Sequence, residues 1–278
     1  MEVILARYGE IALKGRNRID FENQLKDNIK RSVKGKVKKQ RGRVFIYPDD
    51  MADSLRRLRK VFGLVSISPA YSVEADIDSI KDKCLDIAEG TLSEKGFSTF
   101  RISLHRSQKK LKPSPELEKE IGALIVEKTG KKVKLKEPDL EISVEISDRA
   151  YVFSERISCV GGIPAGIEGK AGLLVENRES VLAGLLAMKR GCSLVLLMLK
   201  STPHGDESLL EEFGCQQEHI HVKDITEADE ISEQKGCRAI ITGQQFEDVS
   251  DIGTSLPVLR PLVGISPEKA EEMLLIRQ

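Results

Sequence analysis

Residues 175–180 read VENRES and connect an apolar run, 172–175, to a helix-forming run, 181–191. A strand, a turn and a helix are expected there. In many α/β enzymes this junction binds a nucleotide phosphate, because backbone N–H groups at the helix start point at the anion. Such a loop uses glycine to let the backbone approach the ligand. The VENRES stretch has no glycine and two glutamates, so nucleotide binding is in question.

The side chains of this stretch disfavour a phosphate. Each of two carboxylates roughly 4 Å from a phosphate charge would cost on the order of 4 kcal/mol at an effective dielectric of about 20. Arg178 could offset one of them. The same residues suit an ordinary helix start, because Asn177 can cap the first turn and Glu179 complements the helix dipole. The sequence favours a self-capped helix over a phosphate cradle.

Basic residues near the N-terminus could serve a second chemistry, contact with a polyanion. The segment 30–43 (KRSVKGKVKKQRGR) holds eight basic residues and no acidic one. Two interpretations stay open, a solvated hairpin and a surface that contacts phosphates. Aromatic residues that could stack on bases are scattered, with Tyr8, Tyr47 and Phe97 as candidates. Recognition by shape and phosphate is therefore expected, rather than base-by-base reading.

The charge of the chain is unevenly distributed, although 44 basic and 44 acidic residues give a formal net charge of zero. Residues 1–70 contain 17 basic and 8 acidic residues (+9), residues 71–160 contain 16 and 17 (−1), and residues 161–278 contain 11 and 19 (−8). A basic front and an acidic back indicate separate domains with separate partners. The front suits a polyanion.

Metal and membrane signals are weak in the sequence. The five cysteines form no CxxC pair, so buried thiols are expected rather than a disulfide framework or a zinc site. His219 and His221 lack cysteines at metal spacing, and no metal is predicted. No apolar stretch reaches the roughly 18 residues that span a membrane. Because the start MEVILARYGE does not resemble a signal peptide, the cytoplasm is the expected location.

The elements that position these residues fall into three blocks. The first block predicts the order βαββαβ, which is typical of a ferredoxin-like domain. Its predicted elements are a strand at 2–7, a helix at 19–33, two strands between Val37 and Tyr47, a helix at 51–61 and a strand at 64–73. The second strand of that pair is 44–47 (VFIY), which Pro48 ends.

The second block alternates helices and strands. Ser114 is expected to cap a helix that Gly130 ends, and Asp148-Arg149 is expected to turn a hairpin. The predicted elements are a helix at 77–95, a strand at 100–105, the helix from 115 to 129 and strands at 140–147 and 150–157.

The third block follows a glycine-rich loop at 161–170. Nearly continuous apolar strands alternate with helices there, which predicts a parallel sheet covered on both faces. The predicted strands are 172–175, 193–199, 219–222 and 237–242, and the helices are 179–190, 206–213 and 226–235.

A series of segments, in this order, resembles the tRNA sulfurtransferases that make 4-thiouridine. They are 7–25 (RYGEIALKGRNRIDFENQL), 61–70 (VFGLVSISPA), 114–146, 161–170 (GGIPAGIEGK) and 256–264 (LPVLRPLVG). The resemblance spans nearly the whole chain. It implies a multidomain α/β and α+β protein with an N-terminal ferredoxin-like domain (1–70), a THUMP RNA-binding domain (71–160) and a parallel α/β domain of the PP-loop type (161–278).

The resemblance departs from the family at the nucleotide loop. The family reads SGGIDS there, between a GK-containing loop and MKRG. Both flanks are present, as Gly169-Lys170 and as residues 188–191, but VENRES replaces SGGIDS and keeps only the last serine. The vestigial loop is therefore assigned to Lys170, Glu176, Asn177, Arg178, Glu179 and Ser180.

Further departures concern the sulfur chemistry and the wall of the site. Twelve residues separate Thr242-Gly243 from Leu256, where the family has a long segment that helps to form the nucleotide site. Because the chain ends at Gln278, no appended sulfur-carrying domain is expected. Cys237 is a weak candidate persulfide carrier, since Gln234 stands where some relatives have the first cysteine of a pair. A small core residue is the favoured interpretation of Cys237.

The resemblance also enlarges the set of candidate RNA-binding cations. Some lie in the segment 7–18, and others lie on or after the strand at 100–105, where relatives carry a basic cluster. The full set is Arg7, Lys14, Arg16, Arg18, Lys36, Lys38, Lys39, Arg41, Arg43, Arg101, Arg106, Lys109 and Lys110. The implied ligand is the acceptor end of tRNA.

Two functions are compatible with these residues. The first is a tRNA-binding THUMP protein without adenylating activity, which needs no cofactor and acts in tRNA modification as a binding or scaffold component. The second is an active ATP-dependent tRNA sulfurtransferase with an altered nucleotide site, which needs ATP and magnesium. A different RNA-modifying chemistry in the same cleft is less favoured. The candidate protein partners are a separate active tRNA-modifying enzyme and a second copy of the chain.

Overall fold

The computed structural model describes residues 2–40, 42–106, 113–199, 208–214 and 219–276. Its first elements confirm the predicted order βαββαβ of a ferredoxin-like domain. They are β1 (Glu2–Tyr8), α1 (Arg18–Ser32), β2 (Gly35–Gln40), β3 (Arg43–Pro48), α2 (Met51–Leu58) and β4 (Leu64–Val73). The helical spacing of α1 buries Phe21, Leu25 and Ile29 on one face. Asp50 caps α2 by accepting a hydrogen bond from Asp53 N at 2.9 Å.

The second block adds two helices and further strands. They are α3 (Ile77–Glu94), β5 (Thr99–Arg106), α4 (Ser114–Thr129), β6 (Lys132–Val133), β7 (Leu140–Ile146), β8 (Ala150–Phe153) and β9 (Ile157–Ser158). The strand order is β3-β1-β4-β8-β7-β5-β6, with β2 beyond β3. β5 runs parallel to β7, whereas β7 and β8 are antiparallel. The predicted turn at Asp148-Arg149 is confirmed, because Ser147 N donates to Arg149 O at 2.9 Å.

The ends of α4 test two predictions about helix signals. Gly130 ends α4 in the left-handed conformation, with φ of 68°, as predicted. The predicted Ser114 cap is wrong, since Ser114 is already helical and Pro113 occupies the capping position without a side-chain hydrogen bond. Pro115 in the first turn favours a start there even without a polar cap, because its fixed φ suits the helix and its missing N–H has no helical partner to lose.

The third block confirms the predicted parallel sheet. Its elements are β10 (Gly169–Val175), α5 (Arg178–Lys189), β11 (Cys192–Leu199), α6 (Ser208–Glu212), β12 (His219–Val222), α7 (Ile225–Gln234), β13 (Cys237–Ile241), β14 (Val258–Leu259) and α8 (Pro267–Met273). The strand order is β12-β11-β10-β13-β14, and every neighbouring pair is parallel. β10 is therefore central, and its carboxyl end leads into α5.

Both faces of the parallel sheet are buried, which explains the nearly continuous apolar strands. Successive β10 residues point to opposite faces. Leu173 and Val175 pack in a cluster with residues of α5, α6 and α8, such as Ala270. Leu174 packs on the other face with Ala228 of α7 and Ile240. The start of α5 is thereby fixed above the middle of the sheet.

The chain divides into two compact units, each with its own core. The core of the first unit includes Ile80, Phe100 and Ile121. The core of the second unit includes Leu173 and Leu182. The first unit holds residues 1–5, 45–47 and 68–157, and the second holds 6–44, 48–67 and 158–278. Helices α1 and α2 therefore belong to the same unit as the parallel sheet.

The helices are of moderate length and mixed polarity. α3, with 18 residues, buries Ile80, Cys84 and Ala88 on one side and exposes charged residues on the other. Over the part of the chain that the structure describes, none of the helices combines the length and apolarity that crossing a membrane requires.

Candidate functional site

The VENRES stretch forms a capped strand-to-helix turn at the centre of the parallel sheet. β10 ends at Val175, and α5 begins at Arg178. Asn177 is the capping residue, with an extended backbone (φ −159°), and its Oδ1 accepts a hydrogen bond from Ser180 N at 2.9 Å. Asn177 therefore caps α5 as predicted.

The Ser180 hydroxyl lies inside the turn and hydrogen-bonds to its backbone. Its Oγ accepts hydrogen bonds from Glu176 N (3.0 Å) and Asn177 N (3.1 Å) and donates one to Asn177 O (2.7 Å). Ser180 is completely buried. Backbone N–H groups in this position are the ones that a phosphate-binding loop offers to its ligand. Here a side chain of the protein already satisfies two of them.

Arg178 is held by a partner that the sequence did not reveal. Its Nε donates to Glu271 Oε1 at 2.8 Å, and its Nη2 lies 2.7 Å from the same oxygen. The Glu271 side chain is 3 % exposed, whereas that of Arg178 is 43 % exposed. Glu271 belongs to α8, a helix that was not predicted, although Ser266 before Pro267 is a typical helix-start signal. Arg178 is thus engaged in fastening α8 to α5.

Gly243 packs directly on the first turn of α5. A Cβ placed there would clash with Ser180 N and would lie 2.7 Å from Glu179 C. Only glycine fits this close approach between two backbones. The segment after it is closed on itself, because Gln244 Nε2 donates to Ser250 Oγ (2.8 Å) and Arg260 Nε donates to Gln244 Oε1 (2.7 Å). Internal hydrogen bonds therefore stabilise this short segment beside the start of α5.

Carboxylates give the helix start a negative environment. Burial raises the pKa of Glu176, and the nearby charge of Asp248 raises it further. Glu179 lies in the first turn of α5, as predicted. A bound phosphate would add a further negative charge to this group, so the arrangement fits a nucleotide poorly.

Lys170 and Cys237 lie at the opposite end of the strands from the start of α5. The two residues are neighbours in the register of β10 and β13, at the amino end of both strands. Val175 lies five positions after Lys170 on β10, a distance of about 16 Å along the strand. The structure therefore does not bring Lys170 together with residues 176–180, and the assignment of Lys170 to the loop is corrected. Lys170 Nζ instead lies 3.5 Å from Lys235 O.

The cysteines within the described residues are poor nucleophiles. Cys237 is 6 % exposed, and burial raises the pKa of its thiol, although Lys170 opposes the shift. Burial raises the pKa of Cys84 and of Cys159 to about 12. A raised pKa keeps a thiol protonated and unreactive at neutral pH. Cys237 packs with Leu174 and Ile240, as expected for a small core residue.

The predicted RNA-binding cations divide into exposed, paired and buried residues. Arg16, Lys36 and Lys38 are exposed. Arg7 is 6 % exposed because β1 is buried on both faces from Val3 to Tyr8, so its assignment to a surface contact is corrected. Arg41, Lys109 and Lys110 lie outside the described residues.

The remaining cations are partly exposed and make specific contacts. Lys14 Nζ lies 3.7 Å from Glu168 Oε1 and 4.4 Å from the centre of the Phe21 ring. Arg43 Nη1 donates to Gly42 O at 3.3 Å. On β5, Arg101 Nη1 donates to Leu135 O at 3.3 Å, and Arg106 is the last residue of the strand.

Glu22 is the functional candidate that sequence reasoning missed. Its Oε1 accepts hydrogen bonds from Tyr8 Oη (2.6 Å) and Arg18 Nε (2.8 Å), and its Oε2 lies 3.0 Å from Lys39 Nζ. Burial raises the pKa of Glu22, but the hydrogen bonds from Tyr8, Lys39 and Arg18 outweigh it and lower the pKa to about 2. The spacing of Arg18 and Glu22 at i and i+4 was a local signal for part of this network.

Residues that could hold a metal do not converge in the described ranges, where no three His, Cys, Asp or Glu side chains group together. Asp139 has a structural contact, because its Oδ2 accepts hydrogen bonds from Ser98 N and Thr99 N at 2.9 Å each.

Two domain families match the sequence. The ThiI ferredoxin-like domain matches residues 3–68, and the THUMP domain matches residues 74–155. Together with the parallel sheet, these matches define a THUMP-domain protein with a C-terminal α/β domain.

Curated relatives narrow the class to one family. A protein of Acetivibrio thermocellus, named "Probable tRNA sulfurtransferase", is 30 % identical over 98 % of this chain and 83 % of its own length. A protein of the same name from Methanothermobacter thermautotrophicus is 31 % identical, with the same coverage. The chain belongs to the tRNA sulfurtransferase family, which confirms the resemblance described above.

Two solved structures share the fold over nearly the whole chain. A protein from Pyrococcus horikoshii has a TM-score of 0.87 and 26 % identity, with 98 % of both chains covered. A 4-thiouridine synthetase, crystallised with RNA and bound ATP, has a TM-score of 0.82 and 29 % identity, with 98 % of this chain and 85 % of that chain covered. These matches confirm the predicted fold class.

Proposed function

We propose that this chain binds tRNA and has no adenylating activity, and that it acts in tRNA modification as a binding or scaffold component. Family membership and the related synthetase crystallised with RNA support tRNA as the ligand. Exposed cations on β2, Lys36 and Lys38, supply phosphate contacts. The acceptor end is the proposed target, as the family resemblance implies.

The loss of adenylation rests chiefly on one observation, the self-capped turn formed by the residues that replace the loop glycines, in which Asn177 Oδ1 accepts from Ser180 N. Ser180 itself is shared with the family, but in this turn its hydroxyl takes up the N–H groups of Glu176 and Asn177. The engaged Arg178, the close contact of Gly243 and the carboxylates at Glu176 and Asp248 act in the same direction. ATP would have to displace internal hydrogen bonds and approach negative charge at the same time.

Calorimetric titration of the protein with ATP and magnesium, with and without tRNA, tests the second half of the proposal. We expect no saturable heat in either case. Titration with tRNA alone serves as the positive control, because it shows that the same preparation is folded and active in binding. Saturable micromolar ATP binding would contradict the proposal.

The tRNA contact is tested by its salt dependence. Because each phosphate contact contributes about −0.9 to the slope of log K against log salt, the double variant Lys36→Gln/Lys38→Gln should reduce the slope by about 1 to 2. The matched control is Lys223→Gln/Lys269→Gln, since these two side chains are 74 % and 64 % exposed in the C-terminal domain. A slope that both double variants reduce equally would exclude β2 as the contact surface.

An active ATP-dependent tRNA sulfurtransferase with an altered site is the second candidate. The related synthetase with bound ATP favours it, since that protein shares the fold over 98 % of this chain. ATP binding in the titration would promote this candidate, and Arg178 and Ser180 would then be the first phosphate ligands to replace.

Partner and location complete the proposal. A scaffold without adenylating activity needs a separate active tRNA-modifying enzyme, and a second copy of the chain is the other candidate partner. A role in tRNA modification also makes the cytoplasm the expected location of the protein. Capture of the tagged protein from its own cells, followed by RNA sequencing and mass spectrometry, identifies both tRNA and protein partners.

A further inference from the structure

Glu22 connects three elements of the second unit. It lies on α1 and contacts Tyr8 at the end of β1, Arg18 at the start of α1 and Lys39 on β2. Arg18 Nη2 also donates to Tyr8 Oη at 3.2 Å, which closes a ring of three side chains. Lys39 Nζ makes a further hydrogen bond to Asn23 Oδ1 at 3.3 Å.

Gly42, directly before β3, lies close to this network. Gly42 has a φ of +77°, and a Cβ placed on it would lie 3.5 Å from Arg18 Nη2 and 3.7 Å from Tyr8 Oη. The basic strand β2 is therefore tied to α1 at Lys39, and Arg18 approaches Gly42. Exposed Lys36 and Lys38 lie on the same short strand.

The network fixes Arg18 without covering it. Its side chain is 40 % exposed, whereas that of Glu22 is 11 % exposed. A guanidinium group has five N–H donors, and the hydrogen bonds to Glu22 and Tyr8 use two of them. The planar group can thus hold a set orientation and still present donors to a phosphate.

We propose that Glu22 is a positioning residue for RNA binding, because it orients Arg18 and Lys39 toward the phosphate backbone. The inference rests on the proposed tRNA binding. Recognition by shape requires cations at fixed positions, and a fixed side chain loses less conformational entropy when it binds. A carboxylate that neutralises positive charge therefore strengthens the RNA contact.

Simple electrostatics gives the opposite expectation. The variant Glu22→Gln removes one negative charge beside two cations, so charge alone predicts tighter binding of a polyanion. The variant Asp27→Asn makes the same charge change at an exposed position of the same helix, outside the network. The two variants separate a positioning role from a change in net charge.

The test measures tRNA affinity at constant salt for the wild type, Glu22→Gln, Asp27→Asn and Tyr8→Phe. We expect Glu22→Gln to raise Kd about threefold to tenfold, the effect of leaving one or two side chains to be ordered on binding. Tyr8→Phe should weaken binding in the same direction without any change in charge. Asp27→Asn should leave Kd within about twofold or lower it. Far-UV circular dichroism confirms that each variant is folded.

A second background shows whether Glu22 acts through the two cations. In the double variant Arg18→Gln/Lys39→Gln, the further change Glu22→Gln should alter Kd by less than about twofold. Tight binding by Glu22→Gln, equal to that of Asp27→Asn, would overturn the inference, and so would a full penalty in the double background. A wild type without salt-dependent tRNA binding would instead overturn the proposed function, and the positioning role with it.

Discussion

Replacement of Ser180 by alanine tests whether its hydroxyl fills the helix start. The change removes one oxygen atom and leaves the backbone and the charge unchanged. In the wild type this oxygen accepts hydrogen bonds from Glu176 N and Asn177 N and donates one to Asn177 O. The alanine variant leaves the backbone donors of Glu176 and Asn177 without this acceptor, which belongs to the completely buried Ser180.

The expected loss follows from those contacts. A donor left unsatisfied in the interior costs about 1–3 kcal/mol. Glu176 is half-buried and Asn177 is exposed, so water reaches the freed donors and the expected destabilisation is about 1–3 kcal/mol for the pair. Ser232→Ala is the matched control. Ser232 is also completely buried, but its Oγ donates within α7 to Ala228 O at 2.7 Å. Its loss should cost less than about 1 kcal/mol.

The assay combines urea unfolding with hydrogen exchange. Urea unfolding gives the free energies of unfolding of Ser180→Ala and Ser232→Ala. Hydrogen exchange reports directly the protection of the Glu176 and Asn177 amides. The amide protons of Glu176 and Asn177 should be protected in the wild type and exchange faster in Ser180→Ala. Equal destabilisation by the two serine variants, or unchanged protection of those amides, would refute the reasoning about the filled loop.

Two further predictions concern glycine and pH. Gly243→Ala should destabilise the second unit by about 1–3 kcal/mol, because the new Cβ clashes with the α5 backbone, whereas Gly90→Ala, with no atom within 4 Å of the new Cβ, should stabilise α3 by about 0.5–1 kcal/mol; thermal unfolding checks both signs. Glu22 has a pKa of about 2 instead of 4.5. Its contribution to stability is therefore present above pH 4.5 and lost as pH falls toward 2, so Glu22→Gln should flatten the pH dependence of urea unfolding in that window.

Local patterns predicted the elements well where one physical cause dominated. Helical spacing located α1 and α3, and continuous apolar runs located the parallel strands. The cap at Asn177 was predictable because it depends on residues three apart. The Ser114 cap failed because Pro113 and Pro115 decide the start of α4.

Contacts between distant residues were not predictable from the sequence. Arg178 and Glu271 are 93 residues apart, and no local pattern pairs them. The burial of Arg7 depends on the covering of both faces of β1, which involves residues distant in sequence. Lys170 and Cys237 lie at the amino ends of β10 and β13, whereas residues 176–180 follow the carboxyl end of β10. A sequence motif shows which residues are adjacent along the chain. Strand direction and register decide whether those residues lie at the amino or the carboxyl ends of the strands.

The filled helix start has a consequence for the evolutionary history of the chain. Glycine in place of Asn177 would remove a cap, and that loss precedes any gain from a ligand. Glycine in place of Glu176 would loosen the backbone between Val175 and the cap. Under the proposed loss of adenylation, restoring Ser-Gly-Gly-Ile-Asp at 175–179 alone should leave thiolation unrestored, because the segment between Gly243 and Leu256 is still short and a sulfur-carrying cysteine pair is still missing. The same change should lower stability, because it removes the cap. Under the proposed loss of adenylation, each single reversion is disfavoured until the others are present, so stepwise changes at residues 176 and 177 do not readily lead back to a nucleotide-binding loop.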